Sequence, residues 1–124
     1  MSTYHAVVWI DHEQAHVLHF DREHVEAGRV RARSHHKHQG AGSDPAAFFA
    51  DVWAALADSR ELLLCGPGNA RGAFAQWVNR MHPREASRIS GSVPADHPRD
   101  SELLTLARGF FARHDRMGAD PALR

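Results

Sequence analysis

The sequence is poor in sulfur and almost empty of lysine. Cys65 is the single cysteine, which excludes an intramolecular disulfide and a cysteine-rich zinc site and points to a reducing cytoplasm. Lys37 is the single lysine, so the basic side is carried by arginine. No apolar run approaches the about 18 residues that a membrane helix needs, so no membrane association is expected. The opening Met1-Ser2-Thr3-Tyr4-His5 has neither a charged n-region nor a long apolar core, so no signal peptide is expected. Net charge is missing too: 15 basic residues face 15 acidic ones. That balance excludes a histone-like polycation. No internal repeat and no linker is visible.

What is present is histidine, 11 in 124 residues. At pH near 6.5 roughly half would be charged, adding about +5 to +6, so neutrality holds at one pH only. Apolar residues make up 43%, enough for a core and too many for wholesale disorder. The length predicts one domain, residues 1–115, with a frayed tail over 116–124.

Periodicity predicts the order β-β-β-α-β-α-β-α. Tyr4 to Ile10 and Ala15 to Phe20 are rich in β-branched and aromatic residues and flank the polar Asp11-His12-Glu13-Gln14, as in a hairpin. After Asp21-Arg22-Glu23, Val25 to Arg33 reads as a third strand. A loop covers Ser34 to Ser43. Asp44-Pro45 then opens a helix with Phe48, Phe49, Val52, Trp53 and Leu56 on one stripe. Leu62-Leu63-Leu64 reads as a strand covered on both faces. Gly66-Pro67-Gly68-Asn69 leads into a helix over Ala70 to Met81, with Asn69 as its cap and Phe74, Trp77, Val78 and Met81 on its apolar face. Ile89 to Val93 is a weak last strand. Asp100 is placed as the cap of a final helix with Leu103, Leu104, Ala107, Phe110 and Phe111 inward. The sum is an α/β domain: a mixed five-stranded sheet with three helices.

Three features carry a family resemblance. The first is the strand, turn and strand from Tyr4 to Val17, with Asp11 at the turn. The second is the basic, glycine-bearing stretch from Arg33 to Phe48. The third is Leu62-Leu63-Leu64-Cys65-Gly66-Pro67-Gly68-Asn69-Ala70-Arg71. Together, over Tyr4 to Phe111, they resemble the middle domain of the Pelota and class-one peptide release factor family. The whole also looks like small bacterial translational machinery proteins. The resemblance implies a ribonuclease H-like layout and association with the ribosome, rRNA or tRNA. It does not imply peptidyl-tRNA hydrolysis. The release factors' Gly-Gly-Gln is replaced here by His38-Gln39-Gly40-Ala41-Gly42, and Pelota also lacks it.

The strongest local feature is the basic run of Arg29, Arg31, Arg33 and Lys37 with His35, His36 and His38 and no acid. A period of two puts the three arginines on one strand face, where guanidinium groups can meet successive phosphates. The competing reading is a solvated face paired with acids such as Glu23 and Glu26. Gln39 falls in the same loop. Gly68 and Arg71 sit at a strand-to-helix turn that attracts anions, although a tight turn explains that sequence equally well. His35, His36 and His38 could take zinc or nickel, with adventitious binding the plainer reading, and no cofactor is expected. His5, His12, His16, His19 and His24 either cluster on the first hairpin or are scattered over it. Asp11 with Asp96 and Asp100 is the only carboxylate set that a metal-dependent nuclease could use. The leading reading is a non-enzymatic translation accessory protein that binds ribosome or RNA. The alternatives are a nuclease or other hydrolase, and a homodimeric interaction module joined along the sheet edge.

Overall fold

A computed structural model describes residues 5–32 and 45–119, with side chains through His114. Three strands come first: β1 (His5–Ile10), β2 (Gln14–Phe20) and β3 (Val25–Arg31). Then come α1 (Pro45–Ala55), β4 (Glu61–Gly66), α2 (Ala70–Met81), β5 (Ile89–Pro94) and α3 (Asp100–Ala119), with one 3-10 turn at Ala86–Arg88 before β5. The sheet order is β3-β2-β1-β4-β5. β1, β2 and β3 pair antiparallel, while β1, β4 and β5 run parallel. This is the mixed five-stranded α/β sheet that the sequence order predicts.

The turns explain the hairpins. Asp11 accepts the backbone N–H groups of Glu13 and Gln14 at 2.8 Å each on Oδ1. Asp21 does the same for Glu23 and His24 at 2.9 and 2.6 Å. Short polar side chains thus satisfy the backbone where each strand reverses.

Strand alternation divides the core in two. Ala6, Val8, Ile10, Ala15, Val17, Leu62 and Leu64 face α1 and α2, against Phe48, Phe49, Val52, Trp53, Phe74, Trp77 and Val78. Val7, Trp9, Leu18, Phe20, Leu63 and Cys65 face α3, against Leu103, Ala107 and Phe111. β1 and β4 are buried on both sides because helices lie on both faces.

Several local expectations change. Met81, expected on the apolar face of α2, is its last residue and is 56% exposed. Asn69 occupies the cap position of α2, but its side chain makes no capping bond. Asp100 is the first residue of α3 rather than its cap. The backbone N–H of Arg99 is held by the Glu102 carboxylate at 2.8 Å, half of a capping box, and this frees Asp100 to face the sheet.

Cys65 is fully buried at the end of β4, and burial pushes its thiol up to about 12. The folded protein should therefore resist an aromatic disulfide reagent at pH 8 and react fully once unfolded in guanidinium. Rapid labelling of the folded chain would show that β4 is not covered on both faces.

Candidate nucleic-acid interface

The site begins with the parity of β3. Arg29 pairs in register with His16, Arg31 with Gln14, Ala27 with Leu18 and Val25 with Phe20. These residues point to the α3 side. Val30 and Ala32 point the other way and pack against the core under α1 and α2. α3 lies over β1 and β2, so Val25, Ala27, Arg29 and Arg31 remain exposed beside it. β3 is an edge strand, which leaves its arginines open to solvent along one side as well.

The pairing with Glu23 and Glu26 does not occur. Glu26 opposes His19 on the other sheet face, and Glu23 lies in the β2–β3 turn. Among the described residues neither Arg29 nor Arg31 takes part in an ion pair. Two unpaired guanidinium groups about 7 Å apart along an extended strand make a good anion contact.

Beside Arg29, His16 places Nδ1 3.4 Å from Asp100 Oδ1 at the start of α3, with its ring edge-on to Trp9 at 5.5 Å. Trp9 itself belongs to the core under α3. It is 3% exposed, and its indole N–H donates to the carbonyls of Ala95 and Asp96 at 3.1 and 2.6 Å.

The turn after β4 shares this edge of the sheet. Trp9 pairs with His16 on one side and with Cys65 on the other, so Arg29, Arg31 and Gly66 lie at the same ends of their strands. That edge holds the carboxyl ends of the parallel strands, where open α/β sheets tend to bind ligands. Arg71 is partly committed inward, donating to the Gly66 carbonyl at 3.2 Å. Gly68 takes the left-handed φ of 59° that the turn requires. Arg33, His35, His36, Lys37, His38 and Gln39 fall in 33–44, outside the described residues.

The first-hairpin histidines are scattered rather than clustered. His5 sits at the far end of β1, against Phe20 and Phe111, with Nε2 3.0 Å from Glu61. His114 reaches the other oxygen of Glu61 at 3.7 Å. His19 faces the opposite side and bonds the Ala55 carbonyl at 2.7 Å. His12 and His24 lie in turns. The carboxylates do not converge either: Asp11 Oδ1 is taken by two backbone N–H groups, and Asp100 faces His16. Among the described residues no group of three or more His, Cys, Asp or Glu is placed to hold a metal.

An open cavity of about 570 Å³ lies at the end of α1, lined by Trp53, Ser59, Arg60, His82 and Arg88. Its central cation is already engaged. Arg88 lies 4.7 Å over the Trp53 ring and donates to the carbonyls of Ser59 and Leu56 and to Glu85. Arg88 therefore caps the free carbonyls after α1 and presents little to a ligand.

Sequence reasoning missed Arg108. Its guanidinium lies 5.8 Å over Phe20 and donates to the Asp21 carbonyl at 3.0 Å, beside the Val25 end of β3. No sequence signal marks a residue 87 positions from Asp21 as its neighbour beside the sheet.

Comparison with solved structures assigns the fold. Pelota from Thermoplasma acidophilum superposes with a TM-score of 0.63 at 21% identity, over 85% of this chain and 32% of that one. Pelota from Archaeoglobus fulgidus gives 0.64 at 16%, over 95% and 37%. Dom34 from S. cerevisiae, described as a translation termination-like factor involved in RNA quality control pathways and interacting with Hbs1, gives 0.56 at 11%, over 95% and 32%. The class is thus an α/β domain with the fold of one domain of the Pelota-type factors. The chain spans about a third of the length of these proteins. No protein-family model and no curated protein matches the sequence. Among the described residues no helix is long and apolar enough to cross a membrane.

Proposed function

We propose that this chain is a translation-associated accessory protein that binds ribosomal or other RNA and performs no chemistry of its own. The observation that carries the reading is the pair Arg29 and Arg31, exposed on one strand face with no acid partner among the described residues. Phosphate contact needs unpaired guanidinium groups in a fixed row, and an extended strand supplies that row. The likeness of fold to Pelota and Dom34 supports the same direction. In this reading Arg33, Lys37 and Gln39 add further contacts, Gly68 and Arg71 contribute from the turn after β4, and His35, His36 and His38 strengthen binding as pH falls.

Gradient sedimentation of lysate at low salt and pH 6.5 tests it. The wild type should travel with ribosomal particles and leave them as salt rises. The Arg29→Ala/Arg31→Ala variant should bind at least tenfold more weakly, with a salt slope shallower by about two. A protein that stays at the top of the gradient at low salt overturns the proposal.

A further inference from the structure

We infer that the uncovered α3-side face of β3 is a cradle for one strand of RNA, with Arg108 as a third phosphate contact. This rests on the RNA-binding reading above and adds a site and a residue to it. The floor is Val25 and Ala27, small and apolar, with Arg29 and Arg31 at one end. Arg108 stands at the other end. Its guanidinium covers Phe20, the register partner of Val25, so it lies on the same sheet face as the two arginines. Arg29 lies four positions and Arg31 six positions along the extended strand from Val25, so the cationic groups span roughly 14 to 20 Å.

Arg108 is exposed and uses one terminal nitrogen for the Asp21 carbonyl, which leaves the rest of its fork of donors available. The acids around the cradle are accounted for. Asp21 is held below the usual carboxylate range by the backbone N–H groups of Glu23 and His24, so it is charged, but those groups and the His24 ring occupy its Oδ1. Asp100 faces His16 at the opposite end. Glu23 lies exposed in the turn. The width argues for a single strand. The uncovered ledge is one β-strand wide, about 5 Å, between α3 and the sheet edge. A cationic track over a narrow apolar floor suits a single-stranded backbone.

Fluorescence anisotropy with a labelled oligouridylate tests this on the full chain. Arg108→Ala should weaken binding roughly fivefold and reduce the salt slope by about 0.7, the value for one phosphate contact on a single strand. Arg113→Ala removes an equal charge from another side of α3 and should leave both unchanged. Thermal melts confirm that each variant folds. If Arg108→Ala matches Arg113→Ala while Arg29→Ala/Arg31→Ala still loses affinity, the cradle is wrong and the RNA-binding reading stands. If the double variant also binds like wild type, the RNA-binding reading itself fails. Preference for polyglutamate over the oligouridylate overturns RNA as the occupant.

Discussion

Replacing Gly66 with alanine should lower stability by about 4 kcal/mol and the melting temperature by on the order of 15 °C. Two independent penalties meet at this position. The backbone has φ of 146°, a region that L-residues rarely enter. A Cβ there would also lie 2.2 Å from the Ile10 carbonyl oxygen, in the strand next to β4. That oxygen belongs to the sheet and cannot move aside without opening it. Gly68 is the internal control. Its φ of 59° is left-handed, but nothing lies within 4 Å of a Cβ placed on it. Gly68→Ala should therefore cost only about 1 kcal/mol. Equilibrium unfolding in urea measures both. Equal costs for the two variants would show that the close approach of Gly66 to β1 is not present.

Truncating Phe74 to alanine should cost about 3 to 5 kcal/mol. The ring is fully buried and sits at the centre of an aromatic group, 5.4 Å from Phe49, 6.2 Å from Trp77 and 6.3 Å from Trp53 between ring centroids. These neighbours come from α1 and α2 and cannot all collapse into the space, so transfer and cavity penalties add. Phe74→Leu keeps most of the volume and should cost about half as much. For a domain whose total stability is of order 5 to 15 kcal/mol, the alanine variant approaches the limit of folding. A cost below about 1 kcal/mol would mean that α1 and α2 do not pack through this ring.

Most of the architecture was legible locally. Val25 to Arg31 and Ala70 to Met81 reveal themselves through periods of two and of three to four, and Leu62 to Leu64 through an unbroken apolar run, because a face turned to solvent imposes a period on the chain and cover on both faces removes it. End chemistry was less legible. Asn69 and Asp100 are good cap residues, yet neither caps its helix: the Asn69 side chain makes no capping bond, and Glu102 binds back to Arg99 instead. A cap depends on which of several nearby polar groups the backbone happens to present, and that choice is made in three dimensions. Arg88 shows the same limit. Its engagement with the Leu56 and Ser59 carbonyls joins segments about thirty positions apart.

The sequence by itself determined the order of elements, the two-sided burial of β4 and the common face of Arg29 and Arg31. Each follows from the spacing of apolar and polar residues along a single segment. Tertiary structure decided which acids those arginines meet and what stands beside them. Register sent Glu26 to the opposite sheet face, and the placement of α3 over β1 and β2 left the β3 face open with Arg108 at its end. Strand pairing and helix docking bring together residues far apart in the chain, and no local periodicity records such a meeting.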